Sequence, residues 1–214
     1  MSLSLKKLDQ LIDALIINAG SLIEEAHILN DAGFYARSYA LAHFSREESA
    51  KSYMLQAAAF KIQIGKEIDW KQLMRRFRAH NDKLRMDTVN NALLLLDNEA
   101  GNINTESIIN NVGSISKHRN IQKNTALYVD INEGVISEPA SLFNQEKSER
   151  TIYLAKMSYE QQRDHKKNIG NYSDQKKIKI DLPDFESMEP EELLKLLKNL
   201  APFAKSMFTT STDK

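Results

Sequence analysis

From Leu5 to Ala26 the apolar residues recur at steps of three and four: Leu5, Leu8, Leu11 or Ile12, Leu15, Ala19, Leu22 or Ile23, and Ala26. This spacing puts them on one stripe of a helix running from about Ser4 to Asn30. The run Asn30-Asp31-Ala32-Gly33 ends it, because Gly33 can take a left-handed cap conformation. A second helix is predicted from about Phe34 to Ile64. It is rich in alanine and aromatics (Tyr35, Tyr39, Phe44, Tyr53, Phe60), with Gly65 as its stop. A third opens at Asp69, a good N-cap, and runs unbroken to Leu96. Residues 98–105 read as a polar loop and 106–125 as a weaker helix. The alternation Leu127-Tyr128-Val129-Asp130-Ile131, followed by the turn signal Asn132-Glu133-Gly134, predicts a structured loop or short hairpin within 127–138. Pro139 suits the first turn of a further helix over about 140–168.

The remainder divides in two. Residues 171–189 are polar and lysine-rich and read as a linker after a domain spanning 1–170. Pro190, Glu191 and Glu192 then open a helix over 190–208. Its apolar face comprises Leu193, Leu196, Leu197, Leu200, Phe203, Ala204 and Met207. Among 214 residues there are only 7 glycines and 4 prolines, and no proline precedes Pro139, which points to an all-α fold. The absence of cysteine excludes disulfides and thiolate metal sites and suits a reducing cytoplasm. The N-terminal residues lack the long apolar core of a signal peptide, and the leucine run Leu93 to Leu96 is too short to span a membrane. The expectation is a cytoplasmic protein with no membrane segment.

Charge changes this picture at one place. The chain is neutral overall, with 29 basic and 29 acidic residues. Residues 71–85 nevertheless hold six bases (Lys71, Arg75, Arg76, Arg78, Lys83, Arg85) against one acid, Asp82, and surround one histidine, His80. Such a concentration suits phosphate or RNA. Histidine can take the proton of a 2′-hydroxyl near neutral pH, and arginine can hold phosphate oxygens as charge builds on them. Arg75 and His80 are five residues apart, roughly 140° around a continuous helix. A site using both needs a long reach, a distorted helix or a second subunit. The plain alternative is a solvated basic face.

The second helix adds Arg46-Glu47-Glu48-Ser49-Ala50-Lys51. Glu47 and Lys51 make a surface i,i+4 pair in the simplest reading. The flanks Leu41, Ala42, Phe44, Tyr53, Met54 and Leu55 embed this stretch in a buried helix, where charge needs partners. Glu47 or Glu48 pointing inward to hold an arginine or His80 is the alternative. His27 and His43 lie near apolar faces and read as packed, while His118, beside Lys117 and Arg119, extends the basic surface. Glu24-x-x-His27 is half of a carboxylate-bridged di-metal pattern, but the second half is spoiled by Gln162 ahead of His165. No metal and no cofactor are expected.

Taken in order, Gly33, Tyr35 and Ser38, then Leu41, Ala42, Glu47, Glu48 and Lys51, then Trp70, Arg76, Phe77, Arg78, His80, Lys83 and Leu84 resemble the AbiV-type abortive-infection family, a branch of the HEPN superfamily. The segment Lys123-Asn124-Thr125-Ala126-Leu127-Tyr128-Val129-Asp130 resembles a further family block. The resemblance covers about 20–165. It implies an up-and-down helical bundle, usually homodimeric, with a role in bacterial defence against phage. It also implies an Arg-x4–6-His motif, here Arg75 and His80, acting in metal-independent RNA cleavage at a site built from two subunits. In the active branches the arginine is often followed by a small polar residue; here Arg76 follows.

Two functions are therefore carried forward. In the first, His80 is the acid or base and Arg75 binds the scissile phosphate. Arg76, Arg78 and Lys83 hold the RNA, and Glu47, Glu48 and Lys51 support the site. In the second, the chain is a non-catalytic module that binds a phage protein or RNA.

Overall fold

A computed structural model describes residues 2–97, 111–132 and 134–177. Helix α1 covers Leu5–Asp31 and α2 covers Tyr35–Gln63. Helices α3, Trp70–Arg78, and α4, His80–Asp97, follow. Helix α5, Val112–Leu127, leads into an antiparallel hairpin of β1, Asp130–Asn132, and β2, Val135–Ser137. The short α6, Pro139–Leu142, precedes the long α7, Gln145–Ile169, and a 3-10 turn at Tyr172–Asp174. The architecture is an all-α bundle with one small two-stranded sheet. The expected loop at 98–105, residues 106–110 of the weaker helix, and the tail helix over 190–208 lie outside the described residues, as does the linker beyond 177.

The ends of these helices follow local chemistry. Ser4 caps α1 by accepting from the Lys7 amide at 3.3 Å, and Asp69 caps α3 by accepting from the Gln72 amide at 2.9 Å. Gly33, at φ +82°, turns the chain from α1 into α2 so that the two helices pack along each other. Asn144 caps α7 by accepting from the Lys147 amide at 3.0 Å. The Pro139 segment is therefore two helices, because Asn144 starts a new one where the periodicity predicts a single run over 140–168.

Helix α2 is the axle of the bundle. It packs against α1, α4, α5 and α7, and 17 of its 29 residues are buried, so no single apolar stripe exists on it. At one end Leu8, Ile12, Leu15 and Ile16 of α1 close on Leu55 and Ala59, with Trp70, Leu73 and Phe77 of α3 against the same cluster. Towards the other end the core uses small residues: Ile23, Ala26, Ala42, Ile152 and Ala155 in one cluster, and Ala36, Ala40, Ala126 and Phe143 in another. The serines buried among them donate to backbone carbonyls, Ser38 to Ala26 at 2.7 Å and Ser45 to Ala19 at 2.8 Å.

The bundle also holds the first residues of the stretch read as a linker. The Asp9 carboxylate accepts from the amides of Tyr172 and Ser173 at 3.0 and 2.9 Å, and Gln63 donates to the Tyr172 carbonyl. Burial raises the Asp9 pKa, but these two amides and the charge of Lys166 outweigh it and hold the carboxyl below its usual value.

A histidine on a buried carboxylate as the candidate functional site

The predicted single helix over 69–96 is broken at Ala79, whose backbone is extended (φ −76°, ψ 118°). Arg75 lies in the last turn of α3 and His80 is the first residue of α4. No glycine or proline marks the break. Helix α3 docks its apolar residues on the α1–α2 cluster, while α4 packs between α2, α5 and α7. The break lifts the roughly 140° separation that a continuous helix would impose on Arg75 and His80.

From His80 onward, Lys83, Leu84 and Asp87 follow at three, four and seven residues and form one face of α4. Leu84 is fully buried. The polar residues of that face meet two carboxylate-centred clusters, the first built on Glu47 of α2. Its carboxylate lies 2.9 and 3.0 Å from His80 Nδ1 and 2.6 Å from Lys83 Nζ. Lys123 of α5 stands 3.5 Å from the same carboxylate. Glu47, Lys83 and Lys123 keep only 4, 5 and 6% of their side-chain surface exposed, whereas His80 keeps 51%. Burial raises the Glu47 pKa, but the His43 and Lys83 contacts and the positive charges of Lys83 and Lys123 outweigh it. The carboxyl is held well below the usual carboxylate range.

This geometry selects a tautomer for His80. A bare Nδ1 lone pair facing a carboxylate at 2.9 Å is repulsive, so Nδ1 carries a proton and donates it to Glu47. Lys123 Nζ lies 3.3 Å from the same nitrogen. An ammonium has no lone pair to accept with, so that approach reflects two donors sharing Glu47. Nε2 is left as the nitrogen able to accept, on a ring that is half exposed.

The second cluster is built on Asp87. Arg46 of α2 donates to its carboxylate through Nε at 3.0 Å and Nη2 at 2.6 Å. Arg119 of α5 donates at 2.8 Å and Ser158 of α7 at 2.9 Å. Burial raises the Asp87 pKa, but the two guanidinium charges lower it below its usual value. Burial pushes Arg119 down to about 10, helped by the neighbouring Arg46. Four helices are thereby tied together by one carboxylate.

The residues singled out in the sequence do not all converge. Glu48 pairs with Lys51 at 2.5 Å, and Lys51 lies 5.4 Å from the centre of the Phe77 ring, so this pair braces α3 and does not touch His80. Lys83, expected on an RNA-facing surface, is buried against Glu47. Arg75 and Arg78 are exposed and Arg76 is half-buried. None of the three makes a side-chain hydrogen bond or ion pair among the described residues. The partners missed in sequence are Lys123, Arg119, Asp87 and Ser158. Spacing gives a local signal for three of them: Asp87 sits seven after His80, and Lys123, which opens the later family block, four after Arg119, each on one helix face.

His43 packs as expected, at 1% exposure, with Nε2 3.5 Å from Glu47, too long for a well-formed hydrogen bond. Burial, aided by the charges of Arg119 and Arg46, lowers its pKa from 6.5 to about 4. The unfolded chain therefore binds this proton before the folded one does. The stability contributed by neutral His43 is full above pH 6.5 and is lost as the pH falls towards 4, on the order of 3 kcal/mol in all. Urea unfolding between pH 7 and 4 is expected to show this slope, and His43→Gln is expected to flatten it.

The all-α bundle thus sets a half-exposed histidine on a buried carboxylate, directly after a helix whose arginines make no side-chain hydrogen bond or ion pair among the described residues. The family model HEPN_AbiV, described as AbiV, matches residues 7–160, and the chain belongs to this family. The matched span includes both carboxylate clusters, from Arg46 to Ser158. No curated protein and no solved structure matches the chain. Among the described residues, no group of three or more His, Asp or Glu is placed to hold a metal ion, and no helix is long and apolar enough to cross a membrane.

Proposed function

We propose that this chain is a phage-defence protein of the abortive-infection type that cleaves RNA without a metal ion. The observation that carries the reading is the pair of contacts at 2.9 and 3.0 Å joining His80 Nδ1 to buried Glu47. They orient the ring and leave Nε2 as a base towards solvent. Nε2 takes the proton of a ribose 2′-hydroxyl, and the 2′ oxygen attacks the adjacent phosphorus. The bond to the 5′ oxygen breaks, and the imidazolium returns its proton to that oxygen. The products are a 2′,3′-cyclic phosphate and a 5′-hydroxyl.

Charge supports an anionic substrate. Among the described residues Glu47 and Asp87 face four basic side chains, Lys83, Lys123, Arg46 and Arg119. Arg75, exposed and unpaired among the described residues, holds the scissile phosphate, and Arg76 and Arg78 hold the flanking backbone. The active form in this reading is a cytoplasmic homodimer in which two Arg75–His80 sets share one RNA.

The test is RNA cleavage in the presence of EDTA by wild type and His80→Ala at matched folded concentration. Wild type is expected to yield 2′,3′-cyclic phosphate ends and His80→Ala to lose about 10²-fold or more in rate. Cleavage surviving the substitution would sink the assignment of His80. A non-catalytic binding role is favoured by a different observation, the exposed apolar hairpin at 130–137.

A further inference from the structure

The hairpin gathers apolar side chains on one exposed face. Ile131 pairs with Ile136 across its two strands, so both point to one face, and Val129 shares that face by the two-residue alternation of an extended chain. These three β-branched residues are 65 to 66% exposed. The opposite face carries Asp130, Asn132 and Ser137 with Val135. A two-stranded hairpin is marginal alone in water, and among the described residues no third strand pairs with either outer edge. Large apolar side chains gathered on such an element mark a surface that is covered in use.

Charge chooses the occupant. Residues 124–146 contain four acids (Asp130, Glu133, Glu138, Glu146) and neither lysine nor arginine. RNA and anionic lipid are repelled by such a segment, and a second copy of the same hairpin brings like charge to like charge. An extended segment of another protein that alternates apolar and cationic residues fits both faces. Added as a third strand, it lays its apolar residues beside Val129, Ile131 and Ile136 and turns its lysines or arginines towards Asp130. We propose that this hairpin is a docking surface for an extended cationic segment of a partner protein, recognised by strand addition.

A random-peptide display library panned on the full chain, and counter-panned on the Ile131→Ser/Ile136→Ser variant, tests this. Both side chains are largely exposed, so the variant is expected to keep the wild-type circular dichroism and melting temperature. Enriched peptides are expected to alternate β-branched residues with lysine or arginine. They are expected to bind the double variant and Asp130→Lys at least about tenfold more weakly than wild type. Added salt is expected to weaken binding to wild type more than to Asp130→Lys. Peptides that bind wild type and variants equally, that are acidic or helix-periodic, or no enrichment at all, would overturn the proposal. So would a wild-type dimer that becomes monomeric in the double variant, because the occupant would then be a second copy. Loss of RNA binding in that variant would assign the face to nucleic acid instead.

Discussion

Replacing Glu47 with alanine is expected to cost roughly 3–5 kcal/mol of folding stability, the usual penalty for leaving buried charge uncompensated. Lys83 and Lys123 both end within 3.5 Å of this carboxylate and are almost fully buried. Without Glu47 both lose their counter-ion while remaining largely buried. Chemical denaturation at pH 7 measures the loss. Adding Lys83→Met and Lys123→Met to Glu47→Ala is expected to recover most of it, because an apolar replacement of the whole set carries no stranded charge. Glu47→Gln separates the two roles of the residue. It keeps the volume and one acceptor but removes the charge that holds the His80 tautomer, so RNA cleavage is expected to fall further than stability does. A Glu47→Ala protein within 1 kcal/mol of wild type would show that the lysines have other partners. Acid acts in the same direction as the substitution. The Glu47 pKa is lowered on folding, so its contribution is full above pH 4.5, the unfolded value, and is lost as the pH falls towards the folded one.

The second large effect is expected at Asp87. Asp87→Ala strands two guanidinium groups, Arg46 and Arg119, and takes the acceptor from Ser158, for a loss again of roughly 3–5 kcal/mol. Among the described residues two Arg119 nitrogens, Nε and Nη2, have no hydrogen-bond partner, so Arg119 has little there to fall back on when Asp87 is removed. Asp87 lies two turns beyond His80 on the same helix face and ties α4 to α2, α5 and α7. Loosening it is expected to lower RNA cleavage at a distance, through the position of His80. Hydrogen exchange in α4 is expected to speed up in Asp87→Asn while α1 is unchanged. Asp87→Asn with normal α4 exchange and full stability would remove the residue from this positioning role.

Both ends of α1 and the starts of α2 and α3 were readable because each depends on a few neighbouring residues. Ser4, Asp69 and Gly33 act locally, and the three-and-four spacing of Leu8, Ile12, Leu15 and Ala19 names the buried face of α1. A structured loop or short hairpin was readable over 127–138 from alternation and the Asn132-Glu133-Gly134 turn, and the structure makes it a hairpin. The break at Ala79 was not. Trp70, Leu73, Phe77, His80, Leu84 and Asp87 keep one unbroken helical rhythm across it, and alanine is the best helix former. Periodicity cannot register an interruption that preserves its phase, and here the docking of α3 and α4 on different neighbours overrides local preference.

The site divides along the same line. Sequence alone determined the family, the all-α class, the basic segment around His80 and the presence of charge inside α2, since each is a property of one stretch of chain. Tertiary structure decided which of two adjacent glutamates turns inward. Successive residues of a helix point about 100° apart, so Glu47 meets His80 and Lys83 while Glu48 turns to Lys51. It also decided that Lys83 is a buried counter-ion, and that Lys123 and Arg119 complete the two clusters from a helix some 40 residues further along the chain. Pairings of that kind arise only when α2, α4 and α5 pack together. Each buried carboxylate must then find its cations wherever the fold brings them.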